Sequence, residues 1–308
     1  MYHGVLLIDK PTGMSSFDVI RNVRQSLSTR KIGHTGTLDP MASGVLVLCL
    51  GDATKLVQYL TADDKSYHGQ VTLGQATNTY DAEGESTATN TWEEMQHIQV
   101  ESIQSACQSL TGPIQQVPPI YSAIKINGER AYNKARRGED ITLQAREVII
   151  HHLHSQDWQW QEEENRISFQ IDVTCSKGTY IRSLAVDLAR QLSVHGHLSA
   201  LKRTACGHFQ LSQCYTLDSI TPEKIHQQLI SIKSALSHWP SISVNQEQNQ
   251  QLKYGNRLMS QDFQSLDGVQ DNQLICACNE QEQVVAIMQK MPDLSLRIVK
   301  GFHHSTQS

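Results

Sequence analysis

Gly33-His34-Thr35-Gly36-Thr37-Leu38-Asp39-Pro40-Met41-Ala42-Ser43-Gly44 places three glycines and a proline within twelve residues, and the apolar run Val45–Leu50 follows at once. Glycine and proline at that density hold a loop in a path that other residues avoid. The run behind it reads as a buried strand. The stretch therefore predicts a rigid loop at a sheet edge that presents one carboxylate, Asp39. Asp before Pro is also an ordinary turn signal, so the loop alone leaves open whether Asp39 caps the turn or faces a ligand.

Upstream, Gly4–Asp9 reads as a second short buried strand, ended by the turn Lys10-Pro11-Thr12-Gly13. Ser15-x-x-Asp18 is a helix start, because both side chains can satisfy free backbone N–H groups there. Phe17, Ile20, Val23 and Leu27 then recur at helical spacing. Downstream, Asp52–Ala62 reads as a short helix and Lys65–Leu73 as a period-two strand carrying Tyr67. The polar residues 76–94 read as a loop or lid, Val100–Leu110 as an amphipathic helix, and Val117-Pro118-Pro119 as a break. A strand at Ser122–Ile126 precedes the hairpin signal Asn127-Gly128. Arg166–Cys175 alternates cleanly, and Ser176-Lys177-Gly178 turns the chain into a helix over Thr179–Leu192. Past residue 240, Leu274–Cys278 and Val284–Gln289 are short β-like pieces.

Interleaved strands and helices with short links predict an α+β fold: a mixed, largely antiparallel sheet with packed helices, not a doubly wound parallel one. A boundary near residue 240 divides residues 1–239 from a small all-β module at 240–308. With 308 residues, 39% hydrophobic and 19% charged, the chain has ample material for a core. Its longest wholly apolar run is six residues, far short of the roughly 20 of a membrane helix. Seven irregularly spaced cysteines do not form a disulfide framework. With no secretory signal in view, the expected compartment is the cytoplasm.

Net charge is −5, but residues 61–120 carry −7 while residues 177–214 carry +4. A phosphate-binding face needs local positive charge, which a whole-chain sum conceals. Basic and aromatic residues interleave at Tyr121, Lys125, Arg130, Tyr132, Lys134, Arg136 and Arg137, a composition suited to phosphates and unstacked bases. Neither a phosphate-binding loop nor a dinucleotide fingerprint is present. Cys276-x-Cys278 lacks a second pair, and the His151-His152-x-His154 and His195-x-His197 groups lack completing ligands. No metal and no other cofactor is expected.

The segment Gly33–Leu46 closely resembles the catalytic-loop motif of the TruB-type tRNA pseudouridine synthase family. Further blocks agree in order and spacing: Gly4–Ser16 with its Lys-Pro, Gly51–Lys55, Lys65-Ser-Tyr67, Asp81-x-x-Gly84, Pro119–Lys125 and Cys175–Arg182. The resemblance spans roughly residues 4–210. It implies the pseudouridine synthase fold, a small β-barrel-like PUA-type domain at the C-terminus, and an RNA-gripping insertion at about residues 118–145. It also implies isomerisation of one uridine in the T-arm loop of tRNA, position 55, to pseudouridine, with the base flipped from its stack. The partner would be the T-arm stem-loop of tRNA, with no membrane or protein partner and a monomeric enzyme.

By the same resemblance Asp39 is the obligatory residue, whether it attacks the base, attacks the sugar or removes a ribose proton. Arg182 corresponds to its arginine partner and Tyr67 to the active-site tyrosine. His34 would fill the gap left by the flipped base, and Tyr180 and Leu201 would be apolar pocket positions. Lys125 and Arg136 belong to the interleaved basic and aromatic stretch that would grip RNA, and Lys10, Lys55, Lys177, Lys202 and Arg203 would extend that basic track. Read without the family, Arg182 fits a solvated helix face and Tyr67 a core aromatic equally well. A purely RNA-binding protein does not need Asp39, Tyr67 and Arg182 together, and a glycosidase would need a second carboxylate that no motif supplies.

Overall fold

The computed structural model describes residues 2–302 except 123, 127–128, 131–133, 135–136, 138 and 140, and only the backbone of Lys125, Ile126 and Arg130. Arg136, Tyr132 and the Asn127-Gly128 turn thus lie outside the described residues. In chain order the main elements are β1 (Gly4–Lys10), α1 (Ser16–Ser26), β2 (Ile32–His34), β3 (Ala42–Leu50), β4 (Lys65–Leu73), α2 (Val100–Ser109), β5 (Gly112–Gln116), β6 (Arg146–Gln161), β7 (Arg166–Cys175), α3 (Ile181–Gln191), β8 (Gly196–Cys206) and β9 (Tyr215–Thr216).

The two apolar runs of the sequence become neighbours. β1 and β3 pair antiparallel from Gly4 opposite Leu50 to Lys10 opposite Gly44. Successive residues point to opposite faces, and both faces are covered. Leu6, Ile8, Leu46, Leu48 and Leu50 enter one core with α1, α2 and α3. Val5, Leu7, Val45, Val47 and Cys49 enter a second core with Cys276, Cys278, Val284, Ile287 and Phe302 from the C-terminal module. Burial on both sides is why these strands read as unbroken apolar runs rather than alternating ones.

The large sheet runs β9-β1-β3-β8-β4-β7-β6-β5. The β1–β9 and β3–β8 pairs are parallel and the other pairings along this path antiparallel, so the sheet is mixed and largely antiparallel. A second, five-stranded sheet is built from β10 (Ser241–Ser243), β11 (Leu258–Met259), β12 (Leu274–Cys278), β13 (Val284–Lys290) and β14 (Ser295–Gly301), in the order β10-β12-β13-β14-β11.

Ser15 caps α1 as its spacing predicts: its Oγ accepts from Asp18 N–H at 3.1 Å and the Asp18 carboxylate accepts from Ser15 N–H at 3.1 Å. Phe17 departs from expectation. It is 58% exposed, and Val19 takes the inward place beside Ile20 and Val23. Residues 76–94 are more ordered than a plain loop, since Gln75–Thr77 and Ser86–Thr89 pair as a ribbon. β6 and β8 escape the period-two rule for one reason. Each carries β-bulges, and in β6 the buried set shifts from Val148 and Ile150 to Leu153 and Ser155 across one.

Gly44 shows how tightly the loop is set against β8. Its φ is +100°, and a Cβ there would lie 2.2 Å from the Arg203 carbonyl oxygen. Gly44→Ala should therefore lower stability by at least about 2 kcal/mol, combining backbone strain with overpacking. Urea unfolding checks this; a midpoint equal to wild type would mean that β3 and β8 separate more easily than their register indicates.

Candidate active site

The Asp39 loop is held from below by the segment just after β1. Ser16 Oγ donates to the Leu38 carbonyl at 3.0 Å and accepts from Leu38 N–H at 2.8 Å, so one hydroxyl fixes both polar groups of the residue before Asp39. Gly13 N–H donates to the Pro40 carbonyl at 2.8 Å, on the other side of the aspartate. Ala42 N–H closes the turn on the Asp39 carbonyl at 3.1 Å. Arg203 braces the far end: fully buried, it donates from Nε to the Val45 carbonyl at 2.7 Å and from Nη2 to the Gly36 carbonyl at 3.2 Å.

Arg182 enters from the first turn of α3. Its Nε lies 2.9 Å from Asp39 Oδ2. The N–H is not aimed along that line, so the contact is an ion pair rather than an aligned hydrogen bond. The rest of the fork is occupied too. Nη1 lies 3.4 Å from Asp81 Oδ2 and donates to the Thr79 carbonyl at 2.9 Å, while Nη2 donates to the Tyr121 carbonyl at 3.0 Å. A flat, five-donor cation is the side chain able to meet acceptors in several directions at once. Asp81 is itself fixed by Thr79 Oγ1 at 2.6 Å and Glu83 N–H at 3.1 Å. Side-chain exposure is 6% for Arg182 and 37% for Asp39, so the cation is buried and the carboxylate opens outward.

It opens into a cavity of about 300 Å³ whose walls include Asp39, Tyr67, Arg146, Tyr180, Arg182 and Leu201. Tyr67 and Leu201 come from neighbouring strands, with Tyr67 opposite Arg203 and Gly69 opposite Leu201. Burial pushes the Tyr67 phenol up to about 12, so the ring presents a neutral O–H. Arg146 lies with its guanidinium carbon 4.8 Å from the centre of the Tyr180 ring. Lys65 lines the same space with its ammonium donating to the Thr61 carbonyl at 2.8 Å and also to the Asp63 carbonyl.

The structure thus brings Asp39, Tyr67, Arg182, Tyr180 and Leu201 to one cavity. His34 flanks it at the end of β2, its Nδ1 accepting from Gly36 N–H at 3.2 Å. Burial, then the Arg203 charge, pulls the imidazole below its ordinary value, which favours the neutral ring.

Lys10 and Lys55 do not extend a basic track, and neither does Arg203, which is buried with its guanidinium on the Val45 and Gly36 carbonyls. Lys10 is fully buried, and its ammonium donates to the carbonyls of Met14 at 2.6 Å, Pro11 at 2.9 Å and Pro40 at 3.4 Å. It is a brace of the Asp39 loop, because the turn after β1 wraps its carbonyls around the strand's last side chain. Lys55 donates to the Gly301 carbonyl at 2.9 Å, lies 3.6 Å from Asp52 Oδ1 and sits 4.9 Å from the Phe302 ring centre. It joins the C-terminal module to the large sheet. Lys125 is described by backbone alone, in a short ribbon with Arg130.

Ser16, Asp81 and Arg146 are site residues that the sequence reading did not single out. Ser16 was visible only as the end of one matching block and Asp81 only as part of another; Arg146 gave no signal. Among the described residues no three His, Cys, Asp or Glu side chains form a group able to hold a metal ion, and no helix is long and apolar enough to cross a membrane.

Two outcomes follow from these buried cations. Arg182→Met leaves Asp81, 7% exposed, without its cation, and removing one member of a buried pair costs about 3–5 kcal/mol. Urea unfolding should show a loss of that order and Arg182→Lys should recover part of it; stability unchanged in Arg182→Met would mean that the pair is effectively solvated. Burial also pulls the Lys10 ammonium from its ordinary 10.5 down to about 8. Between those values the unfolded chain holds a proton that the folded chain has lost, so this group's contribution to stability rises with pH. The stability of wild type minus that of Lys10→Met should increase from about pH 8 to about pH 10; a flat or falling difference contradicts the desolvated cation.

Comparison with known proteins agrees with this geometry. Residues 24–181 match the N-terminal domain of the TruB family pseudouridylate synthases, and residues 182–236 match the tRNA pseudouridylate synthase B C-terminal domain. The chain is 43% identical over 270 residues to a tRNA pseudouridine synthase B of Geobacillus thermodenitrificans, covering 86% of this chain and 89% of that one. It is 42% identical over 256 residues to a tRNA pseudouridine synthase B of Bacillus cytotoxicus, covering 82% and 83%. Its fold is similar to that of a chain in an H/ACA RNP bound to a substrate RNA containing 2′-deoxyuridine (TM-score 0.70, 21% identity, 99% of this chain and 86% of that one). A chain in a Cbf5-Nop10-Gar1 complex gives a TM-score of 0.70 at 23% identity, covering 98% and 85%. With the geometry of the Asp39 loop, the two matched regions and these relatives in agreement, the chain belongs to the TruB family of pseudouridylate synthases.

Proposed function

We propose that this isomerase converts the uridine at position 55, in the T-arm loop of tRNA, to pseudouridine, with Asp39 as the essential residue. The observation that carries the reading is a half-exposed carboxylate, ion-paired to a buried arginine, at the wall of a cavity that also holds Tyr67, Tyr180 and Leu201. Such a cavity suits a single extruded nucleotide with a flat base. The curated relatives are named as tRNA enzymes, which supports tRNA as the RNA partner.

The reaction breaks the bond between N1 and the ribose, turns the base and joins C5 to the ribose, with a proton passing from C5 to N1. No atom or electron is gained. Asp39 supplies the negative oxygen that faces the nucleotide, and Arg182 orients it from behind. Tyr67 packs its ring on the base and offers a neutral O–H; with its phenol near 12 it is a donor or relay and not a standing phenolate base. A base inside a folded arm must leave its stack to arrive here, and in this reading His34, at the start of the loop, fills the space left behind.

Residues 1–239 form the catalytic part in this reading, with the insertion at about 118–145 gripping RNA. Residues 240–308 are a PUA-like RNA-binding module. The enzyme acts as a monomer in the cytoplasm.

Asp39→Asn should keep the fold and the affinity for an unmodified T-arm stem-loop, yet lose turnover by on the order of 10²–10⁴-fold or more, the scale of a lost acid–base or nucleophilic group. Chemical mapping of pseudouridine in the product reads both rate and position. Near wild-type turnover in the variant, or conversion at a different uridine by the wild type, overturns the assignment.

A further inference from the structure

Tyr180 forms one wall of the cavity and is also the N-cap residue of α3, but its side chain makes no capping bond. Arg182 is only two residues on. Whatever fixes the Tyr180 peptide therefore fixes both the ring that meets the base and the start of the helix that carries the cation. That task falls to a residue outside the cavity. Gln116, the last residue of β5, has 0% exposure. Its Oε1 accepts from Tyr180 N–H at 2.8 Å and its Nε2 donates to the Tyr180 carbonyl at 3.1 Å. One amide thus meets both polar groups of one residue, sharing the carbonyl with the first helical bond, from Leu184 N–H at 3.0 Å.

The surroundings reinforce it. Gln116 is the register partner of Arg146 across β5 and β6. From that position Arg146 covers the Tyr180 ring at 4.8 Å and donates from Nη2 to the Gly178 carbonyl at 2.5 Å. Directly after Gln116, the Val117 carbonyl accepts from Ser183 Oγ at 2.7 Å, and the Tyr121 carbonyl accepts from Arg182 Nη2 at 3.0 Å. The chain leaving β5 is bolted to the first turn of α3 at four points.

From this we infer that Gln116 is a positioning residue for the isomerisation, a latch that sets Tyr180 against the base and Arg182 against Asp39 without touching the substrate. A buried amide is costly unless every polar group is paired, so an apolar side chain of similar volume would serve packing alone equally well. The two bonds to Tyr180 are what packing does not require. The inference rests on the proposed uridine isomerisation.

The test is Gln116→Met, which keeps the volume and removes both bonds, beside Gln116→Glu, which keeps the shape and the acceptor but replaces the donor. Three quantities are read at a temperature where wild type is folded: single-turnover rate at saturating T-arm stem-loop, dissociation constant for that RNA, and amide hydrogen exchange over residues 177–182 without RNA. Gln116→Met should lose about 10–100-fold in rate, the scale of a small misplacement of reacting groups. Its RNA affinity should be unchanged and its exchange over 177–182 faster. Gln116→Glu should fall between it and wild type. A wild-type rate in either folded variant overturns the inference. So does a loss confined to RNA affinity, or a failure of both variants to fold, which would make Gln116 a folding determinant. An inactive wild type would instead sink the proposed reaction, while the exchange measurement still reads the latch.

Discussion

One guanidinium joins four separate pieces of chain. Arg182 reaches Asp39 in the β2–β3 loop, the Thr79 carbonyl and Asp81 in the ribbon connection after β4, and the Tyr121 carbonyl after β5, all from the first turn of α3. Each acceptor lies in a segment with little regular structure of its own. A planar cation with fixed donor directions converts their relative positions into one rigid unit, which a flexible ammonium could not do. The carboxylate that opens into the cavity is placed by the same contact that closes the cavity's back wall.

Leu38 seats the loop in the core, and hydrogen bonds from buried donors to the loop's backbone fix the rest. Ser16 takes both polar groups of Leu38, Lys10 and Gly13 take the Pro40 carbonyl, and Arg203 takes the Gly36 and Val45 carbonyls. Two of these anchors are cations buried among carbonyls, and each is stabilised by dipoles already in place. Such groups need no reorganisation when charge moves nearby, the condition under which oriented dipoles and charges are most effective in catalysis. The loop's glycines fit the same logic, since at Gly44 the backbone of Arg203 leaves no room for a Cβ.

Much of this was legible in the sequence, and the exceptions have physical causes. The Gly/Pro density around Asp39, the capping Ser15 and the alternation of Arg166–Cys175 are local signals with local consequences, and they appear where expected. β6 did not announce itself, because a bulge moves its buried set by one residue and outward-facing His and Gln residues fill the other positions. Lys10 read as a surface cation, because burial of a lysine depends on three carbonyls, one of them thirty positions away in sequence. Arg182 was ambiguous between a solvated face and a site because its four acceptors come from elements far apart in the chain. Phe17 shows the opposite failure: helical spacing placed it inward, but the apolar stripe of α1 is narrower than the spacing implies.

The covering of both faces of β1 and β3 gives the C-terminal sheet a part in the geometry of the site. Alternate residues of the two strands divide between two cores, one under the helices and one under β12 and β13. Lys55 adds a polar tie between the halves through the Gly301 carbonyl and the Phe302 ring. β3 begins at Ala42, straight out of the Asp39 loop, and β1 ends at Lys10, whose ammonium donates to the Pro40 carbonyl of that loop. A strand pair packed on one face alone can bend toward its open side, whereas one packed on both cannot move without opening a void. The module that adds RNA-facing surface in the proposed function is therefore also the backing plate of the Asp39 loop. The small distances around Asp39 depend on apolar contacts formed on the opposite side of the sheet.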